Sequence, residues 1–76
     1  MDEFFGKTYL YPTPNHGLQT IGVCRVLGKM WAVCWLKPGA RVRVKTSLLP
    51  VGEEPDYVQG HLDVWAKTRG LREVAA

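Results

Sequence analysis

The 76-residue chain has no run of apolar residues near the ~20 that a membrane-spanning helix needs. It has no internal repeat and no low-complexity stretch. Its eight glycines are scattered at turn-like positions, so neither a phosphate-cradling loop nor a dinucleotide fingerprint is present. Cysteine is scarce. Cys24 and Cys34 stand ten apart with no second Cys–Cys or Cys–His pair, which leaves a structural zinc site short of its four ligands and implies no metal or other cofactor. The opening Met1-Asp2-Glu3-Phe4-Phe5 is acidic where a secretion signal is basic. Reduced thiols and a cytoplasmic location are the resulting expectation.

What is present is globular in composition: 46% hydrophobic, 22% charged and 11% aromatic. At this size apolar burial and chain ordering offset each other, each on the order of 110 kcal/mol. A second copy or another partner is therefore expected to add the deciding stability. Ten Lys/Arg against seven Asp/Glu give a net charge of +3, which admits nucleic acid as a partner and is also ordinary for a small domain.

Along the chain, residues 6–11 read as a short strand rich in Thr and Tyr, ended by the turn-forming Pro12-Thr13-Pro14-Asn15-His16-Gly17. Residues 20–27 and 30–37 are β-branched and aromatic runs flanking Gly28-Lys29, which predicts a β-hairpin with a two-residue turn. Uninterrupted pairing puts Val26 opposite Trp31 and Cys24 opposite Val33. One face then holds Ile21, Val23, Ala32 and Cys34, and the other holds Gly22, Cys24, Trp31, Val33 and Trp35. The cysteines point to opposite faces, and both faces are apolar. Lys37-Pro38-Gly39-Ala40 reads as a turn, and residues 41–46 alternate basic and valine positions as a half-buried strand does.

Residues 55–69 fit a helix better than a strand. Tyr57, Val58, His61, Leu62, Val64 and Trp65 fall within about 160° of a helical wheel, opposite Asp56, Gln59, Gly60, Asp63 and Lys67. Acids cluster at the start and bases at the end, as the helix dipole favours. Asp56 with Gln59 has the form of a capping box, and Gly70 suits the position after the last turn. Leu71-Arg72-Glu73-Val74 reads as a last short strand.

The predicted architecture is α+β: one domain over residues 1–76, with a small antiparallel sheet of three to four strands and one C-terminal amphipathic helix on one face. An all-β small barrel is the alternative. The helix covers one sheet face, so the other is expected to meet a second copy, making a homodimer.

No catalytic constellation stands out. Cys24 and Cys34 lie within apolar runs, where cysteine acts as a small buried hydrophobe. Glu53, Glu54 and Asp56 are explained by a helix start, and His61 and Asp63 are too close in sequence to face one another on a helix. The chain therefore reads as a non-enzymatic binding module. Lys37, Arg41, Arg43 and Lys45 are the candidate nucleic-acid contacts: alternate strand positions repeat at ~6.8 Å, close to phosphate spacing along a strand. The same charges also suit a solvated edge strand. Trp31, Val33 and Trp35 are the candidate interface. In the alternative reading they dock another protein as an inhibitor or adaptor does.

Overall fold

The computed structural model describes residues 4–36, 43–46 and 49–74. The elements run β1 (Tyr9–Thr13), β2 (Gly17–Leu27), β3 (Met30–Leu36), β4 (Arg43–Lys45) and α1 (Pro55–Arg69). The four strands pair antiparallel in the order β1-β2-β3-β4, an open sheet and not a barrel. The helix lies across β2 and β3. The chain forms a small α+β fold.

β1 continues through Pro12 and Thr13, where the sequence suggested a loop. A missing N–H is tolerated on the outer strand of a sheet. Thr13 secures the turn by donating its hydroxyl to the Gly17 carbonyl at 2.9 Å. Outside β1 the chain's own tail runs alongside: the Leu10 N–H donates to Arg72 O and the Val74 N–H to Thr8 O. The tail makes only an isolated bridge, Tyr9 to Glu73.

The β2–β3 hairpin corrects the expected register. Leu27 does pair with Met30 across Gly28-Lys29, but Arg25 pairs with Trp31, leaving Val26 as an extra residue. This bulge shifts the pairing by one, so Val23 meets Val33, Cys24 meets Ala32 and Gly22 meets Cys34. A one-residue shift exchanges the faces of one strand relative to the other. The result sorts side chains by size. Ile21 and Val23 join Val33, with Trp31 and Trp35 beside them, in the core under the helix. Cys24, Ala32 and Cys34 share the opposite face, contrary to the expected separation of the cysteines. Neither cysteine is in a disulfide.

That second face is not left bare at its centre. Cys24, Ala32 and Cys34 are each at most 3% exposed, with Phe4 packed against them. Gly22 makes the space, since a Cβ there would stand 2.4 Å from the Phe4 ring. The centre of the sheet's second face is thus buried within the chain, while Leu18 and Leu36 towards its margins stay exposed.

Helix α1 spans 55–69, as expected, with a different start. Glu54 is the N-cap and makes no side-chain capping bond; Pro55 begins the helix, where its fixed φ fits and no N–H is needed. At the other end Gly70 adopts φ 68°, a left-handed conformation that lets its N–H reach the last carbonyls. The Leu71 N–H then donates to Ala66 O at 2.9 Å, and its side chain packs on the core. The buried stripe is Val58, Gln59, Leu62 and Ala66. It is rotated from the expected arc, which had Gln59 outside and Tyr57, His61 and Val64 inside. Gln59 can go in because its amide nitrogen donates to Lys7 O at 3.0 Å and to Asp63 Oδ1 at 2.9 Å.

Candidate functional site

Two surfaces follow from this arrangement, one on each layer. On the sheet, the register sets Lys45 opposite Cys34, Val44 opposite Trp35 and Arg43 opposite Leu36. Lys37 and Arg41 lie outside the described residues. The structure therefore brings the Arg43 and Lys45 positions onto one short strand beside β3, with Thr46 held next in line by its N–H to Val33 O at 2.9 Å.

Charge is divided along the chain. From Phe4 to Gly52, the span that contains every strand, Lys7, Arg25, Lys29, Lys37, Arg41, Arg43 and Lys45 occur with no Asp or Glu. From Glu53 onward five acids accompany three bases. This separation was legible in the sequence, though counting only the local cluster hides it. Arg25 and Lys29 are exposed, and the Arg25 guanidinium lies 5.1 Å over the Trp31 ring. A cation over an indole is worth ~0.5–1 kcal/mol at such a site and fixes the side chain's direction.

The three aromatic-face residues sit under the helix. Val33 is 1% exposed. Trp31 and Trp35 are half-buried at the margins of the core. Trp31 meets Phe5 edge to face at 5.7 Å, and Trp35 carries the His16 ring at 5.7 Å. Only the rims of the two indoles are available to a ligand, and Val33 is held in the interior.

On the helical layer an exposed stripe flanks the core. Tyr57 and Val64 are 54% and 68% exposed. With His61, Trp65, Thr68 and Leu49 they line a groove of about 670 Å³ along the side of α1. His61 meets Tyr57 edge-on at 4.7 Å. Trp65 is braced by Tyr11 at 5.4 Å and by the Arg69 guanidinium at 4.9 Å. The apolar arc of the helix, wider than its buried stripe, is the sequence signal for this groove.

Asp63 belongs to neither surface. It accepts hydrogen bonds from the Tyr9 hydroxyl and the Gln59 amide, and these polar groups tie α1 to β1. Among the described residues no group of three His, Cys, Asp or Glu side chains is placed to hold a metal ion. Nor is any helix there long and apolar enough to cross a membrane.

No protein-family model matches the chain, and comparison with curated proteins and with solved structures finds no match either.

Proposed function

We propose that the chain is a small, non-catalytic module that binds nucleic acid through its sheet layer. The observation that carries this reading is the absence of any acid from Phe4 to Gly52, where seven Lys/Arg residues occur. An excess of positive charge attracts a polyanion over distances of about a Debye length and releases counterions on contact. Lys37, Arg41, Arg43 and Lys45 supply the phosphate contacts.

The test is fluorescence anisotropy of labelled single- and double-stranded oligonucleotides at about 50 and 200 mM salt. Four phosphate contacts give a log–log salt slope of about −3 to −3.5. Arg43→Glu should weaken binding at unchanged melting temperature. Absence of binding at the lower salt, or an unchanged dissociation constant for Arg43→Glu, rejects the reading.

A protein-docking function, the second reading, has its best support on the helical layer. The Trp31, Val33 and Trp35 face is largely occupied by core packing.

A further inference from the structure

The groove on α1 presents a seam, Tyr57, His61, Val64 and Thr68, whose 4-3-4 spacing is that of the contact positions in a pair of packed helices. Two of these residues are the exposed apolar Tyr57 and Val64. Beside them stands Gly60, in the middle of the helix, where glycine costs about 1 kcal/mol against alanine. Among the described residues nothing calls for it. Its φ is not positive, and a Cβ there would meet no atom within 4 Å. A missing side chain beside an exposed apolar seam is what close approach by another backbone requires.

Charge identifies the occupant. The seam begins among Glu53, Glu54 and Asp56 and ends among Lys67 and Arg69. A parallel neighbour of the same sequence would set like charges together, and an antiparallel one sets acid against base at both ends.

We propose that α1 packs antiparallel against the α1 of a second copy of this chain, about a two-fold axis at the level of Leu62. Asp56 then lies alongside Lys67 of the second copy, Glu54 alongside its Arg69, and Gly60 receives its Val64. The contact is self-complementary, as a two-fold interface must be. It leaves the cationic sheet of each copy on the outside of the pair. The proposal does not depend on nucleic-acid binding.

Sedimentation velocity of the full chain across about 5–500 µM is the test, spanning the weak-to-moderate affinities of small interfaces. The expected mass rises with concentration towards twice the 8.6 kDa of the chain. Val64→Arg should raise the dissociation constant about 100-fold or more by placing a charge in the seam. Gly60→Leu should act in the same direction, and the open space at that position keeps the monomer folded, as far-UV circular dichroism will report. Lys67→Asp should weaken pairing about tenfold, and adding Asp56→Lys should restore it. A monomer at every concentration overturns the proposal and leaves the groove to a different protein. A dimer indifferent to Val64→Arg places the contact elsewhere, and failure of the charge exchange to restore pairing refutes the antiparallel register.

Discussion

Tyr9 and Asp63, 54 positions apart, meet in a 2.7 Å hydrogen bond that the phenol donates to the carboxylate. With the Gln59 amide, which donates to Asp63 and to Lys7 O, it joins the edge strand to the helix beside an apolar core. Burial first, and then the bonded Asp63 carboxylate, push the Tyr9 pKa up to about 12. Tyrosine in the unfolded chain ionises near ~10, so the folded state holds its proton where the unfolded state has lost it.

The pH dependence follows from that difference. Below pH ~10 both states are protonated and the full contribution of Tyr9 is present; it is lost as pH rises through the folded value of about 12. Urea unfolding from pH 8 to 12 should show this loss, with Tyr9→Phe as reference. The wild type should be the more stable by ~1.5–3 kcal/mol at pH 8, the usual worth of a hydrogen bond to a charged group. That lead should shrink above pH ~10. A difference independent of pH would mean that the phenol does not keep its proton in the fold.

Gly22 and Phe4 give a packing test. A methyl at Gly22 would stand 2.4 Å from Phe4 Cδ1 and 2.8 Å from Thr8 Cγ2. Gly22→Ala should therefore destabilise by about 1–3 kcal/mol, the usual range for overpacking. In a Phe4→Ala background the clash with the ring is gone and only the approach to Thr8 Cγ2 is left, so the cost of the methyl should fall. Denaturant midpoints of the four proteins in this cycle measure the coupling; additive costs would show that the two residues do not share the space.

The same pair illustrates what could be read from the sequence. Helix α1 was legible as a segment because local signals agree: acids precede bases along it and Gly70 follows its end. The capping box read at Asp56 and Gln59 is not formed, since Glu54 is the N-cap and Gln59 is buried. The strands were legible as segments because their local signals agree as well. Their register was not. One extra residue at Val26 leaves the alternation of each strand intact and changes only which residues meet. The benefit of that change is tertiary, because it collects the large side chains beneath the helix and the small ones beneath Phe4. Gln59 and Asp63 were hidden in the same way. Polar residues read as solvent-facing until Tyr9 and the Lys7 carbonyl are found opposite them. For the basic strand, the sequence carried the charge pattern, and the register adds only that Arg43 and Lys45 stand opposite Leu36 and Cys34.

Thiol chemistry checks the corrected register. Cys24 and Cys34, both buried, lie on one face, where Cys24 is across from Ala32 and Cys34 across from Gly22. Such diagonal neighbours are ~7–8 Å apart, beyond the usual reach of a disulfide. Both thiols should label slowly with a thiol reagent in buffer and rapidly in denaturant. Phe4→Ala should accelerate both together, since the same ring packs against their cluster. Acceleration of one thiol alone would return the cysteines to opposite faces.

Gly60 separates the stability of the monomer from that of the pair. In an isolated chain, Gly60→Ala fills open space on a helix of ordinary geometry and should stabilise by about 1 kcal/mol, chiefly by reducing the freedom of the unfolded state. In a dimer the added methyl intrudes on the closest approach between helices. The wild type gains stability from association as concentration rises, and the variant gains less. Thermal unfolding at about 5 µM should therefore favour Gly60→Ala, by about 4–8 °C for a domain of this size. At several hundred micromolar the advantage should narrow or reverse. An advantage that is the same at both concentrations would show that the missing side chain serves no contact between copies.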